Sequence, residues 1–557
     1  MRANKLLLLI ASLGTLALLV TAAYRETVAR EWRRIQRTYR AALPAAQARD
    51  FEVQLRQLYV PALHATDRCI SCHLGMAPGE TAIPGKPLFA GHPDVAHEPA
   101  DYGCTVCHDG QGRATERADA HGEVPHWPHP MLPPRFAEAG CGGCHTHLAV
   151  PNLALLRRGR ALVERYDCLA CHQLDGRGGT LRPGGGPAPT TPGLSRVGAT
   201  GYDEGWYEKH LRQRAAAADG PWRASFGPIP ATDRVVIEEL LSTSVGAPRL
   251  VEAKAVFHTL GCRGCHKVAG VGGDDGPDLT RVGDRDPGQL DFSHVRGKHT
   301  LASWIAEHFR APATVVPGSN MPQLGLSEEQ IAELTLYMLS LRRTDQPEAY
   351  WPKDRVRAER FEEREFATDG ATLYGTFCAA CHGPGGEGMR YPGMPAFPAI
   401  GNPDFLAVAS DRFITETVTH GRPGRRMPAW GETEGGLRPA EIQAVVAHVR
   451  SFAGGAPAPV DAGPGRWVKG DAAAGARLFA EACASCHGPD GEGSEGPALH
   501  NRRLLAAATD TYLVETVRRG RRDTSMPAFA AASPTHSVLA DDDIQAIVAF
   551  LRAWEEK

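Results

Sequence analysis

All 14 cysteines of this 557-residue chain fall into one pattern, Cys-x-x-Cys-His, repeated seven times. The pentads are Cys69-Ile-Ser-Cys72-His73, Cys104-Thr-Val-Cys107-His108, Cys141-Gly-Gly-Cys144-His145, Cys168-Leu-Ala-Cys171-His172, Cys262-Arg-Gly-Cys265-His266, Cys378-Ala-Ala-Cys381-His382 and Cys483-Ala-Ser-Cys486-His487. Two thiols at this spacing bond the two vinyl groups of a haem, and the imidazole that follows reaches the iron as its proximal ligand. Composition alone would give about 0.01 such pentads, so chance is no rival. Zinc also uses Cys-x-x-Cys, but it gives no reason for a His after every second Cys. A disulfide across two residues would be strained and would not need the His either. The chemistry expected is seven covalently attached c-type haems and their iron.

The elements that must position these groups differ along the chain. The first three pentads crowd into the 77 residues from Cys69 to His145. That is too little chain for three independent domains, so residues 60–150 read as one compact three-haem unit whose haems form much of its core. The other four pentads are widely spaced. Each follows a short helical segment: Arg158-Gly-Arg-Ala-Leu-Val, Glu252-Ala-Lys-Ala-Val-Phe, Gly370-Ala-Thr-Leu-Tyr and Gly475-Ala-Arg-Leu-Phe. Internal repeats group these four in pairs. The fourth and fifth share Leu194-Ser-Arg-Val-Gly with Leu279-Thr-Arg-Val-Gly, and Trp206-x-x-x-His210-x-Arg212 with Trp304-x-x-x-His308-x-Arg310. The sixth and seventh share Cys-His-Gly-Pro-x-Gly-Glu-Gly, and Ile442-Gln-Ala-Val-Val with Ile544-Gln-Ala-Ile-Val. Ser327-Glu-Glu-Gln-Ile opens a closing helix with a capping box. The expected fold is mainly α, with Gly (61) and Pro (43) supplying long loops. Single-haem modules are expected at 151–248, 249–345, 366–456 and 457–557, with a polar linker at 346–365.

The order helix, Cys-x-x-Cys-His, Met-Pro loop, closing helix resembles class I cytochrome c domains, over about 155–345 and 366–557. The stretches Asp67-Arg-Cys-Ile-Ser-Cys-His73 and Gly103-Cys-Thr-Val-Cys-His-Asp-Gly-Gln-Gly-Arg113 resemble the N-terminal region of membrane-associated bacterial multihaem cytochromes. The resemblance implies a methionine as sixth ligand before each closing helix: Met321, Met427 and Met526, which lie 55, 45 and 39 residues after His266, His382 and His487. Met394 rivals Met427, but only Met427 aligns with Met526. The fourth module departs from the pattern, because Ile229-Pro230 stands where Met-Pro is expected and Ile cannot bind iron. His210 could substitute. It aligns with His308, however, in a module that already has Met321, so it also reads as an ordinary helix residue. That leaves the fourth haem either His-ligated or open to small ligands. The three-haem unit holds His64, His92, His97, His121, His126, His129 and His147 outside its pentads, so bis-His ligation is expected there. His92, His97 and His121, in loops between pentads, are the best candidates.

Leu6 to Ala23 is an apolar run of 18 residues after Arg2 and Lys5. This makes 1–24 a signal-anchor or transmembrane helix, and 25–59 a juxtamembrane helical segment. The run favours an uncleaved anchor, with the rest exported to the periplasm, where haem is attached. The arginines from Arg25 to Arg40 argue the other way under the positive-inside rule; the seven pentads outweigh them. Val28, Trp32, Ile35, Tyr39 and Leu43 recur at helical spacing, on a helix that packs on its own protein or docks on lipid or a partner.

A net charge of −3 gives no broad basic field, so no nucleic acid is expected. The function expected is electron transfer on the outer side of the cytoplasmic membrane, from a membrane quinol-oxidising partner to a soluble periplasmic acceptor. Bis-His haems would be the low-potential entry and His/Met haems the higher-potential exit. Two other readings stand beside it. One is a haem subunit of a larger respiratory complex. The other is a haem enzyme acting on a small oxygen, nitrogen or sulfur compound at an open fourth iron.

Overall fold

The structure, a computed structural model, describes residues 2–93, 95, 97–125, 127–149, 152–179, 193–200, 205–206, 208–210, 229–343, 345–461, 464–533 and 536–555. It is mostly helical. Helix α1 (Arg2–Thr27) is long and apolar enough to cross a membrane, and the side chains of 3–27 are exposed. Three residues separate it from α2 (Glu31–Ala42). It buries Trp32, Gln36 and Tyr39 and leaves Arg34, Arg37 and Arg40 in solvent. The Tyr39 ring meets Phe51 and Phe89, both at 5.2 Å. Gln36 Nε2 donates to the Ser71 carbonyl inside the first pentad at 3.0 Å. The apolar face of this helix thus packs on the protein itself.

The region of the first three pentads has little regular structure: a two-stranded antiparallel ladder, β1 (Leu58–Val60) with β2 (Ala65–Asp67), and short helical stretches. Beyond it, the same helix crossing recurs four times. α3 (Leu153–Arg165) packs on α4 (Ala231–Ser242), and α5 (Pro248–Thr259) on α7 (Glu328–Ser340), with α6 (Leu301–Arg310) beside α7. After α8 (Lys353–Phe361), α9 (Gly370–Phe377) packs on α11 (Pro439–Ser451), with α10 (Asp411–His420) beside it. Finally α12 (Ala472–Ala482) packs on α14 (Asp541–Arg552), with α13 (Asp510–Arg519) beside it.

Small residues set how closely these helices cross. A Cβ on Gly159 would come within 2.8 Å of the Leu240 Cβ and 3.1 Å of the Val236 carbonyl. Gly475 lies against the Ala546 carbonyl and Gly370 against that of Ala444, while α5 has the fully buried Ala253. The expected capping box at α7 is present: Gln330 N donates to Ser327 Oγ, and Ser327 N to Gln330 Oε1 at 3.0 Å. One apolar core runs from Leu132 and Phe136 through α3, α4, α5 and α7, and a second unites the last two helix sets. The stretch read as a linker contains α8, whose Arg355 is buried over the Trp351 ring at 3.8 Å.

Candidate functional site

No pentad cysteine is disulfide-bonded, and among the described residues no three His, Cys, Asp or Glu side chains gather to hold a metal ion by themselves. Each pentad offers two thiols and one imidazole within five residues, a set that could hold a haem through two thioethers and one iron ligand. Each pentad is one turn of helix, so both thiols and the imidazole leave it on one side. Asp67, fully buried, holds the second pentad: its carboxylate accepts from Thr105 N at 2.9 Å and Thr105 Oγ1 at 2.7 Å. Burial pushes the thiols of Cys141, Cys262 and Cys378 up to about 12.

The structure brings four pentad imidazoles opposite a second imidazole. Two rings bound to one metal, each nitrogen about 2 Å from it, hold their centroids about 6 Å apart. The ring of His73 lies 6.5 Å from that of His121, and His108 lies 6.1 Å from His92. His145 lies 6.1 Å from His97, and His172 lies 6.0 Å from His210. The spacing suits an axial metal between each pair. Burial lowers the pKa of His73, His97, His108 and His121, which favours the neutral form that binds metal. His92, His97 and His121 are thus each placed with one pentad. His64 is exposed at a left-handed φ of 54°, and His147 pairs with Thr146 Oγ1. The His129 carbonyl accepts from Trp127 Nε1. His126 and Arg212 lie outside the described residues.

His210 is the residue that could substitute for the missing methionine but that the repeat also equates with His308. Its ring stacks on Trp206 at 4.9 Å and 7°, as His308 stacks on Trp304 at 5.1 Å and 6°. The helix geometry is thus repeated, but His210 faces His172 across a metal-sized gap in the module that lacks a methionine. The signal was present in the sequence as the pairing of Trp206-x-x-x-His210 with Ile229. Burial, with His266 and Arg285, pulls His308 down to about 4, and its Nδ1 is buried without a partner.

In the last three modules the pentad imidazole is oriented by a backbone carbonyl. The Nδ1 atoms of His266, His382 and His487 pair with the carbonyls of Pro277, Pro398 and Pro497 at 2.8, 2.9 and 2.8 Å. That contact fixes the tautomer and leaves Nε2 for a metal. Gly276 and Gly496 lie against the rings of His266 and His487, where a Cβ would collide. Met321, Met427 and Met526 are half-buried. Met427 and Met526 close equivalent turns, accepting from Arg422 N at 2.8 Å and Arg521 N at 2.9 Å. Arg422 and Arg521 in turn donate to Thr417 and Thr516.

The pentads also touch each other's surroundings. Gly140, just before the third pentad, lies on the Cys107 carbonyl, and Gly142, inside it, lies on that of Ser340 at the end of α7. Asn402 Nδ2 donates to the Arg522 carbonyl at 2.7 Å, and Asn501 Nδ2 to that of Pro423 at 3.2 Å, a reciprocal pair of contacts joining the last two modules.

Comparison with known proteins bears on the same region. Residues 365–449 and 470–551 match the family described as cytochrome c oxidase, cbb3-type, subunit III, and residues 250–342 match the cytochrome c family. A cbb3-type cytochrome c oxidase subunit FixP of a Bradyrhizobium species is 36% identical over 170 residues, covering 29% of this chain and 53% of the relative. A CcoP subunit of Rhodobacter capsulatus is 32% identical over 197 residues, covering 33% and 61%. The chain thus spans between half and two thirds of the length of these relatives. A solved chain of a reducing HAO-like protein complex from Kuenenia stuttgartiensis aligns over 33% of this chain and 94% of its own, at 20% identity and a TM-score of 0.24, too slight a likeness to carry an argument.

Proposed function

We propose that this chain, a membrane-associated multihaem cytochrome c that transfers electrons, carries haem at all seven pentads and conducts electrons on the outer side of the cytoplasmic membrane. The observation that carries the reading is the set of four facing imidazole pairs, each built on a pentad histidine and each about one metal atom wide. In this reading the cysteine pairs 69/72, 104/107, 141/144, 168/171, 262/265, 378/381 and 483/486 form the thioethers. His73, His108, His145 and His172 are opposed by His121, His92, His97 and His210, and Met321, Met427 and Met526 serve the last three irons. Bound haem supplies an iron that takes up and releases one electron, while the chain sets its spacing, ligands and surroundings.

A thioether raises the potential relative to a second imidazole, so the ligands order the chain from a low-potential membrane end to a high-potential C-terminal end. Electrons would enter near α1 from a membrane quinol-oxidising partner or another respiratory subunit, and leave from the last modules to a soluble periplasmic acceptor. The relatives, named as subunits of cbb3-type oxidases, support a respiratory partner for those modules. With His210 opposite His172, the geometry favours a closed fourth site over small-molecule chemistry. The test is a potentiometric titration of the purified full chain. Four low-potential centres and three higher ones are expected; finding the last three modules lowest would reverse the direction.

A further inference from the structure

Pentads five and six are distant in sequence, yet they pack motif against motif. Gly261, just before Cys262, has a φ of +70°, and a Cβ there would come within 2.9 Å of the Ala380 Cβ and 3.2 Å of the Gly375 carbonyl. Gly264, inside the fifth pentad, lies on Phe377, whose carbonyl would be 3.1 Å from a Cβ. Glycine permits both the backbone angle and the approach. Gly264 directly precedes Cys265 and Ala380 directly precedes Cys381, so the contact adjoins the second cysteine of each pentad. Around them Gly272 N donates to the Gly435 carbonyl at 3.1 Å, Asp275 pairs with Arg426, and Arg263 pairs with Glu365. Tyr391 Oη donates to the Ala380 carbonyl at 2.7 Å. Ser485, which occupies the position of Ala380 in the seventh pentad, is exposed.

We propose that this contact is where electrons cross between the first five centres and the last two, and that Gly261, Gly264 and Ala380 are positioning residues that hold the crossing short. The inference rests on the reading that both pentads carry haem. Haem held at these pentads would be fastened through the cysteines that adjoin this contact, so the close backbone approach would keep the two groups near each other. Electron transfer slows steeply as such a gap widens. One electron leaves the reduced centre of module five, oxidising it, and enters the oxidised centre of module six; no bond forms or breaks. On the membrane side, Gly142 against Ser340 sets the third pentad on module five, so the contacts continue toward the anchor.

The test uses the full-length, haem-loaded protein with Val538, which is 54% exposed, replaced by cysteine and labelled with a photo-oxidising ruthenium complex. A flash withdraws an electron from module seven, and the oxidising equivalent is followed to the bis-His haems. Ala380→Leu is expected to slow that arrival at least tenfold, with the refilling of module seven from module six unchanged. Ala380→Ser should restore the native rate. Asp275→Lys, which repels Arg426 from outside both pentads, is expected to slow the same step and carries the test if Ala380→Leu does not fold. Arrival at the native rate in a folded, haem-loaded variant would overturn the inference. Loss of haem from pentad five or six of the unsubstituted chain, seen by intact mass, would instead overturn the underlying reading.

Discussion

Glu365 stands where α5, the fifth pentad and module six meet, and its removal tests how that junction is held. Its carboxylate bonds Lys254 Nζ at 2.6 Å and the Arg263 guanidinium, whose side chains are 3% and 0% exposed. Lys254 also donates to the Leu148 carbonyl at 2.9 Å, and Arg263 to the carbonyls of Val268 and Val271. Glu365→Gln keeps the shape and removes the negative charge, leaving two buried cations. Breaking a buried pair this way costs about 3–5 kcal/mol. Lys254 has an escape, because burial already pulls it down to about 8 and without Glu365 it can shed its proton. Holding a lysine neutral at pH 7 when its free pKa is about 10.4 costs about 4.6 kcal/mol, falling to about 1.9 kcal/mol at pH 9. The unfolded lysine binds a proton that the folded one has released, so the variant's stability rises with pH. The native lysine, at about 8, also sheds its proton by pH 9 and gains about 1.4 kcal/mol, so the expected loss is about 4 kcal/mol at pH 7 and about 3 kcal/mol at pH 9. Because a chain of several modules need not unfold in two states, the assay is hydrogen exchange of the α5 amides in the haem-loaded protein at both pH values. A loss under about 1 kcal/mol at pH 7, or a larger loss at pH 9, would refute the reasoning.

Three further outcomes are expected. Native protein should show no carbon monoxide shift at the fourth haem, while His210→Ala should give a shift amounting to roughly one haem in seven; a shift already present in the native protein would sink the His210 assignment. Gly475→Val drives a side chain into the Ala546 carbonyl at the α12–α14 crossing and should destabilise module seven by about 3 kcal/mol, read by limited proteolysis of the C-terminal region, with α5 exchange unchanged. Asp510 is buried, which raises its pKa, but the N–H groups of Val468 and Trp467 and the Arg552 guanidinium outweigh this and hold it below the ordinary carboxylate value. Its contribution is present above about pH 4 and lost as pH falls through the folded value, so module seven should lose stability in acid, and thermal melts of Asp510→Asn should show less of that acid dependence.

Local chemistry was legible in the sequence, and relations between distant segments were not. The pentads, the α7 capping box at Ser327 and the closing helices follow from spacing within a few residues. His92, His97 and His121 could be named as candidates because they fall between pentads, but their partners could not. His121 faces the first pentad across the second, and His92, which precedes the second pentad, faces that one. Such pairings depend on how loops fold over one another. His210 was undervalued because a repeat alignment equates it with His308 without showing what each ring faces. The 346–365 stretch looked like a linker because its charges read as solvated. In the structure Arg355 stacks on Trp351, and Glu365 anchors a buried ion cluster. The contact of pentad five on pentad six depends on glycines whose value is close approach, which a sequence shows only as missing side chains.

The central claim is that every Cys-x-x-Cys-His pentad is a haem site. Intact-mass measurement of the full chain purified from cells that attach haem tests it most directly, with peptide mapping to place each adduct. The account predicts the polypeptide plus seven haems, one on each of the cysteine pairs from 69/72 to 483/486. A fully matured protein carrying fewer, with free thiols at a mapped pentad, would contradict it.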